Sequence, residues 1–241
     1  MTSPFVEFLR GFAHSFPSFA PPLALSWVVV LGLELFVGKQ VRGHLRPHIL
    51  RVDERLRAWA LSKRFRKRGE IESDRVARTW FMRFWTNFAS APSLCVLALA
   101  LAVWGHATHQ IHPTLWYFPG VVYLGSMAQS YVTKRLIKRM RPARKEGSFG
   151  FKMRDSSFPS GHSLTSFCFW FSVVLASAFS GAAASVVGAM LVVALLTVGF
   201  TGFSRVYMGV HFPTDVLGGF LMGLVWTLVC AVTVAPALRG F

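Results

Sequence analysis

The apolar residues of this chain fall in blocks too long for the helices of a water-soluble protein. A run of roughly 17 to 22 apolar residues is long enough to cross a bilayer. Six such runs occur: Pro22 to Val37, Phe84 to Trp104, Leu115 to Tyr131, Ser163 to Phe179, Ala183 to Phe200 and Val216 to Ala235. Only Ser180-Gly181 splits the fourth from the fifth. The pattern predicts an all-α fold, a polytopic membrane protein built on six spanning helices. Ahead of the first block, Phe5, Phe8, Phe12, Phe16 and Phe19 recur at helical spacing, which fits either a short interfacial helix or a frayed tail. Met1 to Ala20 has neither a basic start nor a continuous apolar core, so no cleavable signal peptide is expected.

Between the first two blocks, residues 39 to 83 form the most basic part of the chain. There Val52, Leu56, Trp59 and Ala60 follow the i, i+4, i+7, i+8 rule with Asp53 and Glu54 at the front, the mark of an amphipathic helix. The run Lys63-Arg-Phe-Arg-Lys-Arg68 beside it suits anionic lipid headgroups. Two regions follow: residues 1–83, with the interfacial segment, first span and basic connection, and residues 84–241, a membrane core.

Composition sharpens this picture. The chain has 241 residues, 53% of them hydrophobic, and a formal net charge of +16. In a soluble protein that charge would point to nucleic acid, but no recognition module accompanies it, so none is expected as a partner. Cys95, Cys168 and Cys230 all fall inside predicted spans and read as small apolar fillers. Glu34 lies near the end of the first span, where it is either a functional acid or the partner of Lys39 or Arg42. His106, His109 and His112 share one loop without a Cys, Asp or Glu nearby, and a solvated loop is the better reading than a metal site.

Chemistry concentrates elsewhere. In Phe158-Pro-Ser-Gly-His162, Ser160 is a good N-cap, Gly161 lets backbone N–H groups approach a ligand, and an apolar run follows at once, as at helix-end anion sites. His162 sits in the first turn, the place for a general acid. Lys134 and Arg141 flank the end of the third span. Continued helix would align them with Lys138, while Pro142 favours a helix end, and a basic helix end is also an ordinary headgroup anchor. Pro213 can start the last helix, with Asp215 in its first turn beneath His211. This is either a structural pair or a carboxylate that fixes one ring nitrogen and frees the other as a nucleophile. Counting spans brings Lys134, Arg141, His162, Arg205, His211 and Asp215 to one face of the membrane. Three cations with helix N–H groups match the spread charge of a phosphoryl group in transfer, and nothing in the set calls for a metal or other cofactor.

Lys134-x6-Arg141-Pro142, Pro159-Ser160-Gly161-His162 and Ser204-Arg205-x5-His211-x3-Asp215 resemble the three signature motifs of the type 2 phosphatidic acid phosphatase superfamily, which also contains vanadium haloperoxidases and bacterial acid phosphatases. The resemblance covers roughly residues 85 to 236. It implies that His211 is the nucleophile, Asp215 its orienter and His162 the general acid, with Lys134, Arg141, Ser160, Gly161 and Arg205 holding phosphate. It further implies a six-helix membrane core and metal-independent hydrolysis of a lipid phosphate or diphosphate: phosphatidate, phosphatidylglycerophosphate, an isoprenoid diphosphate or a lipid A phosphate. Lys138, Arg139 and Lys145 are extra cations that suit a diphosphate or anchor the helix. The same site could pass phosphate to another acceptor, and a non-catalytic scaffold would show eroded motifs, which these are not.

Of the 26 Lys and Arg, only Arg10 and Arg239 fall on the face opposite the motifs. The positive-inside rule then puts the active site at the cytoplasmic surface; many lipid phosphatases of the family face outward, to the periplasm or lumen.

Overall fold

A computed structural model describes residues 46–62, 72–108, 113–142 and 155–238, with isolated positions between Arg10 and Gly32. The phenylalanines of the N-terminal segment, Glu34, the Lys63–Arg68 run, Lys145, His109, His112 and the side chain of His106 lie outside the described residues. The helices are α1 (Arg46–Ser62), α2 (Glu72–Phe88), α3 (Ala91–Thr108), α4 (Pro113–Leu136), α5 (Gly161–Phe179), α6 (Ala184–Tyr207) and α7 (Pro213–Leu238), and no strand occurs among the described residues.

Among the described residues, three segments are each long and apolar enough to cross a membrane: Gly161–Phe179, Ala184–Tyr207 and Pro213–Val232. Val76–Phe88 and Ala91–Gly105 qualify as one span broken by a 54° bend. The span expected over Phe84 to Trp104 falls across these two helices and the bend between them. At the break Ser93 Oγ donates to the Asn87 carbonyl at 2.8 Å and pairs with Ser90 Oγ at 3.0 Å. Pro92 follows in the first turn of α3, where a missing N–H costs nothing. The exposed Val186, Leu191, Val192, Leu195 and Leu196 of α6, with Leu217, Leu221, Leu224 and Leu228 of α7, form an outward apolar surface of the kind that faces lipid. The chain is an integral membrane protein.

The central helix is α5, which packs against α4, α6 and α7. Two of its inward serines return their hydroxyls to their own helix: Ser172 donates to the Phe169 carbonyl at 2.7 Å and Ser177 to that of Val173 at 2.9 Å. Phe118 and Val122 of α4, Leu164 and Cys168 of α5, and Met222 and Trp226 of α7 form one core. Close approach depends on small residues. A Cβ at Gly219 would lie 2.9 Å from the Ser160 carbonyl oxygen and 3.1 Å from the Leu164 nitrogen, so glycine there lets α7 rest against the start of α5.

Two local structures set the geometry of the site. The helix that would have aligned Lys134, Lys138 and Arg141 ends at Leu136. Residues beyond it run alongside the approach to α5: Arg139 N–H donates to Ser156 Oγ at 3.0 Å, and Ser157 N–H donates to the Arg139 carbonyl at 2.9 Å. After α6, Gly209 adopts φ 72°, and Gly209 and Val210 N–H groups donate back to the Val206 and Arg205 carbonyls at 2.9 and 3.2 Å. That left-handed cap turns the chain back so that His211 faces the bundle.

The amphipathic helix read over Val52 to Ala60 lies within α1, but its faces hold a surprise. Val52, Leu56 and Trp59 are exposed, whereas Ala60 and Leu61 are buried together with Asp53 and Arg57. Ala60 packs on Val206 and Val216, so α1 is docked on α6 and α7 by the side that carries Asp53 and Arg57, while Arg51, Glu54 and Arg55 are exposed.

Candidate active site

The C-terminal ends of α4 and α6 and the N-terminal ends of α5 and α7 meet, and they bring the three motifs together. Ser160 holds the N-cap position of α5 with φ −68° and ψ 109°, but its side chain makes no capping bond. Its Oγ instead accepts from Ser163 Oγ at 2.9 Å, and its N–H donates to the Asp215 carbonyl at 3.0 Å. The predicted side-chain cap is thus absent, which leaves the first-turn N–H groups uncapped by that residue. A Cβ at Gly161 would come within 3.3 Å of Ser130 Oγ and 4.0 Å of Lys134 Nζ, so the glycine keeps the space before Lys134 open.

Lys134 and Arg141 hold one anion between them, the carboxylate of Asp155: Lys134 Nζ donates to Oδ2 at 2.5 Å and Arg141 Nη2 to Oδ1 at 2.8 Å. Partial burial pushes the Asp155 carboxyl up, but these two cations outweigh it and hold it below its ordinary value. Arg141 Nη1 reaches the Val210 carbonyl at 3.1 Å and His211 Nε2 at 3.3 Å. His162 stands within electrostatic reach of Arg205, His211, Lys134 and Arg141. Arg205 is only 5% exposed, and its Nε finds no hydrogen-bond partner among the described residues. A buried cationic donor left unpaired calls for an anion.

His211 and Asp215 are both buried, with Nδ1 and Oδ2 3.6 Å apart, close enough for an ion pair but longer than a closed hydrogen bond. Donation from Arg141 to Nε2 would place the ring proton on Nδ1, facing the carboxylate. Burial first, with the positive charges of Arg205 and Arg141, pushes the His211 imidazole down to about 4 despite Asp215. Asp215 itself is gripped on both oxygens. Oδ2 accepts from Ser157 Oγ at 2.7 Å and Phe212 N–H at 2.9 Å, and Oδ1 accepts from Arg139 Nη1 at 2.6 Å.

Sequence reasoning missed Arg139, Ser157, Asp155 and Asp53. Arg139, read as a spare cation, is engaged by two carboxylates: its Nη2 donates to Asp53 Oδ2 at 2.5 Å while Nη1 holds Asp215. The one signal in the sequence was scarcity. With only 10 acids against 26 Lys and Arg, an acid inside the most basic stretch asks for an explanation.

A helical membrane protein in which two histidines, an aspartate and three cations share one end of the bundle is built to handle a phosphoryl group. The profile of the PAP2 superfamily matches residues 114–239, just over half of the chain, and the chain belongs to that superfamily. Phosphatidylglycerophosphatase B of Bacillus subtilis (strain 168) is 38% identical over 99 residues, a match that spans 39% of this chain and 45% of that protein. The crystal structure of a transmembrane PAP2 type phosphatidylglycerolphosphate phosphatase from Bacillus subtilis superposes with a TM-score of 0.65 at 21% identity, covering 87% of this chain and 96% of that one. Aquifex aeolicus LpxE superposes with a TM-score of 0.50 at 17% identity over 75% of this chain and 93% of the other. These two likenesses establish the shared fold.

Proposed function

We propose that this protein is an integral-membrane, metal-independent phosphohydrolase that removes phosphate from a lipid phosphate or diphosphate through a phosphohistidine. The observation that supports this best is the cationic cluster at His211. Buried Arg205 has an unpartnered Nε, and beside it Lys134 and Arg141 already hold two oxygens of a carboxylate as they would hold two of a phosphoryl group.

In this reading His211 Nε2 attacks phosphorus in line with the departing oxygen. The N–P bond forms as the P–O bond breaks, and Asp215 on the Nδ1 side stabilises the imidazolium. His162 gives its proton to the departing oxygen. Water then attacks phosphorus and gives a proton to His162, and the N–P bond breaks to release phosphate and free His211. Lys134, Arg141, Arg205 and the N–H of Gly161, in the turn that Ser160 opens while its own N–H is held by the Asp215 carbonyl, neutralise the equatorial oxygens, supplying the charge that a metal supplies in other phosphoryl-transfer sites.

The name of the Bacillus relative makes phosphatidylglycerophosphate the first substrate to test. Because Arg139 is taken up by Asp53 and Asp215, one of the cations that suited a diphosphate is already engaged. Six spans, with α2 and α3 together as the second, put both termini outside and the site at the cytoplasmic surface by the positive-inside rule, beside anionic headgroups that the basic connection attracts. Residues 84–241 carry the three motifs, and residues 1–83 supply the first span and α1.

The test is phosphate release by purified, detergent-solubilised protein in EDTA across phosphatidate, phosphatidylglycerophosphate, a polyprenyl diphosphate and a lipid A 1-phosphate. Turnover of one of these, lost in His211→Ala, is the expected result. No turnover by folded protein would overturn the proposal, and phosphate retained on a second product would turn it into a transferase.

A further inference from the structure

Asp53 belongs to α1, outside all three motifs, yet it is fully buried against the machinery just described. Its Oδ2 accepts from Arg139 Nη2 at 2.5 Å and from Thr214 Oγ1 at 2.6 Å, and its Oδ1 accepts from the Thr214 N–H at 2.9 Å. It therefore caps, from another helix, the first turn of α7, the turn that carries Asp215. Arg139 lies between the two carboxylates, stacked 4.5 Å from the Phe212 ring, with its Nη1 shared by Asp215 Oδ1 and Thr214 Oγ1. Its main chain is clamped as well, through Ser156 Oγ and the Ser157 N–H.

The charges explain why two carboxylates are needed. Arg139 and Asp215 alone would make a neutral buried pair, with little negative potential left for the imidazole beside it. Asp53 draws Arg139 toward itself and leaves the trio with a net charge of about −1 in a low-dielectric setting. That surplus faces Nδ1 of His211, where positive charge appears when Nε2 bonds to phosphorus. Two buried acids around one arginine are costly as packing, and a stabilising role alone does not call for the second.

We propose that Asp53, acting through Arg139, is a positioning residue for the His211–Asp215 pair, so that the basic connection is part of the active site. This rests on the function proposed above. Its predictions concern kcat rather than binding, because neither Asp53 nor Arg139 is placed to touch the substrate phosphate.

The test compares Asp53→Asn, Asp53→Glu and Asp53→Asn/Arg139→Gln with the wild type, each checked for a thermal midpoint in detergent. Asp53→Asn should lower kcat about tenfold, as loss of an outer partner of a reacting histidine does, with KM unchanged. Asp53→Glu keeps the charge and should retain more activity. The double variant loses further hydrogen bonds but restores the net negative charge on Asp215, and should recover part of kcat; a purely structural role predicts a further loss. Unchanged kcat in folded Asp53→Asn, or a rise in KM alone, would overturn the proposal. A second readout does not depend on turnover: the imidazole 15N resonances of His211, assigned by their disappearance in His211→Gln. Asp53→Asn should shift the Nδ1 signal toward a weaker hydrogen bond. An unchanged spectrum rejects the role of Asp53 even if lipid is hydrolysed, whereas a shifted spectrum in a protein that hydrolyses no lipid rejects only the proposed activity.

Discussion

Helices α1 and α6 pack on one another and follow the same rule, yet only one of them is readable from its sequence. Each shows apolar side chains outward, Val52, Leu56 and Trp59 on α1 and Leu191, Val192, Leu195 and Leu196 on α6. Each turns a charged residue inward, Asp53 and Arg205, both at the same end of the bundle. On α6 the surrounding block is long and apolar, so lipid is the obvious solvent, and an arginine within it can only face protein. On α1 charged residues are interspersed among the apolar ones, so water is the natural guess for the polar side. The comparison teaches that a helical period reveals two faces without saying which one meets the protein.

The comparison breaks most visibly if the inward charges merely hold the bundle together. Arg205→Ala should lower kcat/KM by roughly 10²–10³, the scale of one lost oxyanion donor, in protein whose thermal midpoint is retained. Initial rates in detergent check this, and near-normal rates would take Arg205 out of the site. The orientation of α1 is tested by a pair of substitutions. Ala60→Leu overfills the contact with Val206 and Val216 and should cost about 1–3 kcal/mol. Leu56→Ser on the outward face should stay within about 0.5 kcal/mol. Equal losses in thermal midpoint would reject the assigned faces.

Protonation separates the two regions further. His211 in the folded protein sits at about 4, below its ordinary 6.5, chiefly through burial. A depressed histidine contributes stability above its unfolded value, and that stability is lost as pH falls from 6.5 toward 4. The thermal midpoint should therefore drop across that window, and His211→Gln should flatten part of the slope; an identical slope in the variant would argue against a buried neutral imidazole. The smallest effect concerns Asp155, whose half-exposed side chain holds Lys134 and Arg141 and, on the proposed mechanism, competes for them with the substrate phosphate. Asp155→Asn should lower KM by roughly two- to fivefold, the worth of about 0.5–1 kcal/mol for a partly exposed pair. A raised KM would show that Asp155 helps binding instead of competing with it.

What the sequence disclosed was local. Ser180-Gly181 marks the break between α5 and α6, with Gly181 at φ 74°, and Pro213 opens α7, because caps and proline act within a turn or two. The motif residues converge because the C-terminal ends of α4 and α6 meet the N-terminal ends of α5 and α7, an alternation that needs only the order of the helices. The kink at Ala89-Ser90 escaped notice since Ser93 achieves it by bonding to Asn87, a side-chain choice that an apolar run conceals. Asp53 and Arg139 lie 86 residues apart, and no local period couples them. Their pairing follows from how α1 docks, a tertiary fact.

The central claim is that His211 carries the phosphoryl group. Brief reaction with a ³²P-labelled phosphatidylglycerophosphate, or with whichever lipid phosphate is turned over, followed by an alkaline quench and peptide mapping, tests it directly. The account predicts a label stable to alkali, labile to acid and located at residue 211. Turnover with no trapped label at that residue, or a label that persists in His211→Ala, would contradict it.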